Sequence, residues 1–132
     1  MKYDDWSKMI FVDNLDFNNL LKEQRLSDNI PCIYFLFDDW ELIYIGETTN
    51  LRSRSYKHYY EKQYYSDIKN TFVSPFNKIG YLELETLNKD ERYKIEQDYI
   101  ENYKPKYNDY NWYYETQIYP MIKEQQEKYG GT

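Results

Sequence analysis

Two short runs of apolar residues in the first half of the chain have the composition of β-strands. Residues 32–37 and 42–46 are rich in β-branched and aromatic side chains, as strands are. The polar residues 38–40 lie between them and predict a turn. The pattern therefore predicts a β-hairpin.

The pairing register of this hairpin decides whether its two tyrosines share a face. Neighbouring strand residues point to opposite faces, so a shift of one residue reverses every side chain. Tyr34 and Tyr44 lie on one face if they pair with Gly46 and Leu36, and on opposite faces after such a shift. A cooperating pair predicts a bulge and a loop of three or five residues rather than a two-residue turn.

The next segment predicts a helix that carries two candidate functional side chains. Asn50 is suited to cap a helix over about residues 51–60. Arg54 and His58 are four positions apart in it, which places a guanidinium and an imidazole on one helix face.

Further elements alternate along the second half of the chain. The pattern predicts a short helix over residues 62–70 and a third strand over residues 79–84. Asn88 followed three positions later by Glu91 is a capping-box pattern and opens another helix. Pro105 ends that helix, because the residue before a proline disfavours helical geometry.

Two flanking segments extend this core. Apolar residues near helical spacing predict a helical extension in residues 1–30 that packs on the core, and residues 109–132 predict a Tyr-rich segment followed by a polar helix near residues 115–128. The core domain is then residues 31–108. Its element order is ββαβα, which predicts an α+β fold with a small three-stranded antiparallel sheet flanked by helices.

Length and composition restrict the class of protein. The 132 residues suit one domain with a single core. The 18 tyrosines predict a core with many hydroxyls that need partners. Cys32 is the only cysteine, which excludes an internal disulfide and a multi-cysteine zinc site. No run of about 18 apolar residues and no secretory signal is encoded, so we expect a cytoplasmic protein without membrane contact.

The charge of the chain disagrees with its local pattern. The net charge is −6, whereas nucleic-acid binders are usually basic. Residues 50–62 nevertheless carry four basic side chains against the single Glu61, a local net charge of +3. An anionic substrate is expected to dock there. The basic residues are Arg52, Arg54, Lys57 and Lys62.

Residues suited to phosphate chemistry occur in order through the predicted core: Tyr34, Tyr44, Gly46, Arg54, His58, Glu96 and Asn108. Over residues 31–108 the set resembles the GIY-YIG nucleases. Residues 32–34 stand at the GIY half of that motif and residues 44–46 at the YIG half. Arg54 resembles the arginine of the family's helix, and Glu96 its metal-binding glutamate. Residues 104–108, ending twelve positions after Glu96, resemble the closing segment of some members.

The resemblance implies a metal-dependent DNA endonuclease, which hydrolyses phosphodiester bonds with one divalent ion, Mg²⁺ or Mn²⁺. Arg54 would stabilise the transition state, because a guanidinium contacts two phosphate oxygens and stays charged. Glu96 would bind the ion, since Mg²⁺ keeps most of its waters and needs few protein ligands.

The family assigns activation of the attacking water to the tyrosine of the YIG half, here Tyr44. Only about one free tyrosine in a thousand is ionised at neutral pH, so Arg54 and the ion must favour tyrosinate or His58 must take up the proton. Tyr34 would orient water or phosphate. The substrate-binding residues implied are Gly46, Arg52, Lys57 and Asn108, although Asn108 is also expected to bind backbone near the site rather than to perform chemistry.

Two residues depart from the family pattern, and the acidity of the chain supports a second hypothesis. Cys32 replaces the first glycine, which affects backbone packing, and Glu47 places a carboxylate beside the phosphate site, where it would repel DNA or help to hold metal. Both flanks are acidic. The alternative is a catalytically weak GIY-YIG-like domain that binds a protein through Trp112, Tyr113 and Tyr114. The sequence leaves open RNA as substrate, the form of the cut, and a homodimer or protein partner.

Overall fold

The fold is described from a computed structural model, which covers residues 6–64, 76–108 and 119–128. It is α+β, as predicted, with an antiparallel sheet flanked by helices. The elements are β1 (Ile10–Val12), β2 (Cys32–Asp38), β3 (Glu41–Thr48), α1 (Leu51–Tyr64), β4 (Lys78–Glu83), α2 (Lys89–Tyr103) and α3 (Tyr119–Lys128). Three 3-10 helices lie at Trp6–Lys8, Phe17–Lys22 and Lys106–Asn108.

The sheet has four strands in the order β1-β4-β2-β3, so the prediction of three strands was wrong. The additional strand is β1, which pairs antiparallel with β4 through Phe11 and Gly80. The predicted helical extension over residues 1–30 was also wrong, since residues 10–12 of it form strand β1. Its helical pattern forms a kinked 3-10 helix at Phe17–Lys22, in which Asn19 leaves helical geometry at φ −131°.

The β2–β3 hairpin has the register that brings its tyrosines together. Tyr34 pairs with Gly46 and Tyr44 with Leu36, which confirms the predicted pairing and its shared face. The register shifts between the pairs Leu36–Tyr44 and Phe37–Leu42, so Ile43 is an extra residue that forms a bulge in β3. The predicted loop of three or five residues was wrong, since only two residues separate the strands. The bulge changes the register instead, and a two-residue turn becomes compatible with the tyrosine pair.

The core lies on both faces of the sheet. The face that α1 covers, here the α1 face, buries Val12, Leu20, Leu26, Cys32, Tyr34, Leu36, Ile43, Leu51, Phe76, Ile79 and Tyr81. The face that α2 covers, here the α2 face, buries Met9, Ile33, Phe35, Ile45, Leu82, Leu84, Ile95 and Tyr99. Alternate residues of β2 supply the two sets, as the two-residue period of a strand requires.

The start of α1 is fixed by its own cap and by the N-terminal segment. The side chain of Asn50 accepts a hydrogen bond from the Ser53 N–H at 3.1 Å, which confirms the predicted N-cap. The same side chain donates to Asp28 at 2.6 Å, and the Arg52 N–H donates to the Ser27 carbonyl at 3.0 Å. The N-terminal segment therefore holds the first turn of α1.

The later helices agree largely with the sequence. Asn88 and Glu91 form the predicted capping box of α2, and α2 ends at Tyr103, before Pro105. Residues 62–64 of the predicted second helix belong to α1, which ends at Tyr64. The rest of that prediction, residues 65–70, lies outside the described residues. In the described part of the chain, no helix is long and apolar enough to cross a membrane.

Candidate active site

Tyr34 lies at the centre of the site, wholly buried between β3 and α1. Its ring lies over its cross-strand partner Gly46, where an added Cβ would come within 2.5 Å of the ring carbon Cζ and the hydroxyl oxygen. Any side chain at this position would displace the ring. The glycine of the YIG half is therefore required by close contact with the tyrosine of the GIY half.

His58 makes its hydrogen bond to this buried tyrosine. Its Nε2 lies 2.8 Å from the Tyr34 hydroxyl oxygen, and the imidazole is 2% exposed. Burial, and after it the charge of Arg54, lower the pKa of His58 to about 3. The imidazole is thus neutral at physiological pH. It accepts a hydrogen bond readily but takes up a proton poorly, contrary to the proton-acceptor role expected from its ordinary pKa.

Arg54 joins the two tyrosines, one helical turn before His58 on α1. Its Nε donates to the Tyr34 hydroxyl at 3.3 Å, and its guanidinium also hydrogen-bonds Tyr44. The Tyr34 hydroxyl thus accepts from Arg54 and also hydrogen-bonds Nε2 of the neutral His58, with donor and acceptor set by the tautomer of the imidazole. Burial raises the pKa of Tyr34 well above its ordinary value, so this hydroxyl stays protonated. Tyr34 is therefore placed to orient Arg54 and His58.

Tyr44 is the more accessible of the two tyrosines. Its residue is half-buried, whereas Tyr34 has no exposed surface. The Tyr44 ring centroid lies 5.9 Å from that of Tyr34 and 5.0 Å from that of His58. The ring thus rests on the buried part of the site and remains within reach of solvent.

Glu96 lies on α2, next to Glu47 of the edge strand β3. Burial raises the pKa of its carboxyl group, and the neighbouring charge of Glu47 adds to this. Hydrogen bonds from Gln97 and from the Glu47 backbone N–H oppose the shift, as does the charge of Arg54. The carboxylate is therefore half-buried and within electrostatic range of Arg54.

The carboxylate of Glu47 is held by an ion pair. Arg92 Nε lies 2.7 Å from Glu47 Oε1, and the two side chains are 9% and 18% exposed. The same guanidinium donates to the Leu87 carbonyl at 2.6 Å. The sequence analysis did not identify Arg92, although its position four residues before Glu96 places both on one face of α2.

Asn108 closes the open side of β3. Its amide oxygen accepts from the Ile45 N–H at 2.8 Å, and its amide nitrogen donates to the Ile45 carbonyl at 2.9 Å. Both groups of the side chain are thus used by the strand that carries Tyr44. This geometry suits the expected backbone role of Asn108.

Within the predicted basic patch on α1, Arg52, Arg54 and Lys57 do not form one open surface, and the Lys62 side chain lies outside the part that the structure describes. Arg52 donates to the Glu23 carbonyl at 2.9 Å and to the Leu26 carbonyl at 3.2 Å, so it serves the N-terminal segment rather than the substrate. Arg54 faces the tyrosines. Lys57 is exposed and lies three positions after Arg54, on the same helix face.

A divalent ion fits this donor set through Glu96. Across residues 6–64, 76–108 and 119–128, no group of three or more His, Cys, Asp or Glu side chains is arranged to hold a metal. Glu96 is a hard oxygen donor whose charged form burial disfavours, a penalty that a bound cation would relieve. Such an ion would take its other ligands from water and phosphate.

Comparison with known proteins agrees with this arrangement. The family model described as "UvrC-like GIY-YIG domain" matches residues 30–109, which include every residue of the site described above. The chain belongs to the GIY-YIG family. This is a nuclease family, and within it the chain is UvrC-like.

Individual relatives of this GIY-YIG protein come from the same branch. The UvrABC system protein C of Mycoplasma capricolum subsp. capricolum is 35% identical over 92 residues, which are 68% of this chain and 15% of the relative. The chain thus spans a small part of that protein.

Two crystal structures of the GIY-YIG N-terminal endonuclease domain of UvrC from Thermotoga maritima are similar in fold. Both are point mutants bound to their catalytic divalent cation. They are 22% identical to this chain, with a TM-score of 0.45. Each alignment covers 68% of this chain, and 90% and 91% of the two solved chains.

Proposed function

We propose that this protein is a DNA endonuclease that hydrolyses phosphodiester bonds with one divalent ion, Mg²⁺ or Mn²⁺. The observation that carries the proposal is the convergence of Arg54 on the hydroxyls of both tyrosines, with the Glu96 carboxylate within electrostatic range. Membership of a nuclease family supports it. A domain that only binds a partner has no need to bury a guanidinium against these groups.

Arg54 would bind the scissile phosphate. Its Nε is directed to Tyr34, which fixes the plane of the guanidinium before the substrate arrives. A preoriented guanidinium needs no reorganisation as charge grows on the phosphoryl oxygens. Lys57, exposed on the same face of α1, would contact a neighbouring phosphate.

Tyr44 would activate the attacking water, because it is the accessible tyrosine of the pair. The Tyr44 hydroxyl would first give its proton to solvent; the water oxygen would then form a bond to phosphorus while one water proton passes to the Tyr44 oxygen. The bond from phosphorus to the leaving sugar oxygen breaks, and that oxygen takes a proton from solvent. Arg54, hydrogen-bonded to Tyr44, favours negative charge on its oxygen before this transfer.

His58 and Tyr34 would act as positioning residues. Neutral His58 would hold the Tyr34 hydroxyl through their hydrogen bond, and Tyr34 in turn would orient Arg54. Glu96 would hold the divalent ion, which supplies Lewis-acid stabilisation of the phosphoryl charge when bound.

The test is cleavage of supercoiled plasmid at low salt by the parent, Glu96→Gln and Tyr44→Phe, each with Mn²⁺, Mg²⁺ or chelator. We expect metal-dependent nicking or linearisation by the parent and a loss of at least about 100-fold in both variants. Arg52→Met is the matched control, since Arg52 binds only the N-terminal segment, and it should cut at nearly the parent rate. Equal cleavage by the parent and Glu96→Gln would refute the proposal.

The alternative of a protein-interaction module rests on the acidic net charge of −6. Its predicted aromatic residues, Trp112, Tyr113 and Tyr114, lie outside the described residues. A parent protein that neither binds Mn²⁺ nor cuts plasmid or single-stranded DNA would favour this alternative.

A further inference from the structure

The ion pair between Glu47 and Arg92 joins β3, the strand of Tyr44, to α2, the helix of Glu96. Glu47 directly follows Gly46 on β3, and Arg92 lies in the first half of α2. The pair is short, at 2.7 Å, and its two side chains are 9% and 18% exposed. A second hydrogen bond, from Arg92 NH1 to the Leu87 carbonyl, keeps the guanidinium in place.

This pair lies beside the carboxylate that would hold the ion. Arg92 and Glu96 are one helical turn apart on α2. The negative charge of Glu47 is close enough to act on the Glu96 carboxyl, and the Glu47 backbone N–H hydrogen-bonds it. A Glu47 carboxylate released from Arg92 would therefore lie next to the ligand of the ion.

A second carboxylate changes how a hard cation behaves. Affinity for such ions rises with the number of charged oxygen ligands. Added negative charge at the ion also reduces the stabilisation that the ion gives to a phosphoryl group, and it repels the phosphate itself. An enzyme that binds its ion through one carboxylate is therefore harmed by a second, even though the ion is held more tightly.

We propose that Arg92 is a positioning residue, which keeps the Glu47 carboxylate in an ion pair so that Glu96 alone supplies the protein charge at the divalent ion. This inference rests on the function proposed above. It also accounts for the acidic residue that follows Gly46, since Arg92 balances its charge without leaving it available to metal or DNA.

The test compares four forms of the whole 132-residue chain: the parent, Arg92→Leu, Arg92→Lys and the double variant Glu47→Gln with Arg92→Leu. Mn²⁺ affinity is measured by calorimetry without DNA. The rate of plasmid cleavage is measured at saturating Mn²⁺, and stability is measured by urea denaturation. The double variant removes both charges, so it avoids the buried unpaired carboxylate that Arg92→Leu leaves. It therefore remains informative if Arg92→Leu is poorly folded.

We expect Arg92→Leu to bind Mn²⁺ about tenfold more tightly than the parent and to cut at least about tenfold more slowly. Arg92→Lys and the double variant should return both values to within about threefold of the parent. A purely structural role for Arg92 would change the urea midpoint and leave Mn²⁺ affinity per folded molecule unchanged.

Two outcomes separate this inference from the proposed function. If the parent binds Mn²⁺ and cuts DNA while Arg92→Leu shows parental affinity, or the double variant fails to recover the rate, the role of Arg92 is refuted and the nuclease stands. If the parent binds no Mn²⁺ and cuts nothing, both are refuted.

Discussion

The α1 face and the α2 face of the sheet are both closely packed, yet they bury different kinds of atoms. Beneath α1 lie a phenol, an imidazole and part of a guanidinium, joined by hydrogen bonds through Tyr34. Beneath α2 the core is mainly hydrocarbon and aromatic, with side chains such as Ile33, Phe35 and Ile95, and its charged pair of Glu47 and Arg92 lies toward the edge strand β3. In the function proposed above, the α1 face would carry the chemistry, while the α2 face would stabilise the sheet and present Glu96 at its edge.

The largest expected effect is a loss of cleavage rate, and it distinguishes the role of the α1 face from that of the α2 face. Arg54→Lys on the α1 side keeps the positive charge but loses the planar guanidinium. We expect cleavage to fall by about 100-fold, while the free energy of unfolding changes by about 1 kcal/mol or less. Its counterpart on the α2 face, Ile95→Val, should cost about 1 kcal/mol of stability and leave the rate unchanged. Rates and urea midpoints of both variants measure this, and equal rates would remove the distinction between the faces.

A second comparison uses one glycine on each face. A Cβ at Gly46 would meet the rigid Tyr34 ring at 2.5 Å, whereas a Cβ at Gly80 would first meet Met9 Sδ, the end of a flexible side chain, at 2.6 Å. We expect Gly46→Ala to lose about 1–3 kcal/mol of stability and most of its activity. Gly80→Ala should lose less stability and less activity than Gly46→Ala. Thermal unfolding and plasmid cleavage decide between them, and similar losses would contradict the proposed Tyr34 contact.

The third prediction concerns pH and the buried imidazole. In the folded protein the pKa of His58 is lowered to about 3, whereas an unfolded histidine binds a proton near pH 6.5. Between these values the unfolded state binds more protons, so stability falls as the pH decreases below 6.5. We expect a loss of about 2 kcal/mol between pH 7 and pH 5 that is absent in His58→Gln. The measurement is the difference in unfolding free energy between the two proteins across this range. An identical pH dependence would show that His58 is not buried as a neutral group.

The sequence predicts the hairpin and the helices of the core well, because their signals are local. The shared face of Arg54 and His58 follows from the helix period, and the capping box follows from the residue types at Asn88 and Glu91. The strand period left the register of Tyr34 and Tyr44 open, and the structure places them on one face. The bulge was expected. Its combination with a two-residue turn was not, because a bulge within β3 changes the count that the loop length alone would set.

Contacts between distant segments were not predictable from local pattern. Strand β1 has only three residues, too few for a periodic signal, and its pairing with β4 depends on a segment almost 70 residues away. The sequence predicts Arg52 as part of a basic patch on α1. In the fold, its guanidinium donates instead to carbonyl groups of the N-terminal segment, which is distant in sequence. The lowered pKa of His58 is likewise a property of its burial, which spacing on a helix does not reveal.

The Asn108 side chain has a further consequence for how the sheet meets its surroundings. Strand β3 is at the edge of the sheet, and an edge strand offers unpaired backbone groups that can recruit a strand from another chain. Asn108 makes with Ile45 the same donor and acceptor pair that such a strand would make. The edge next to Tyr44 is therefore protected against strand addition and aggregation, and another molecule can extend the sheet there only by first displacing Asn108.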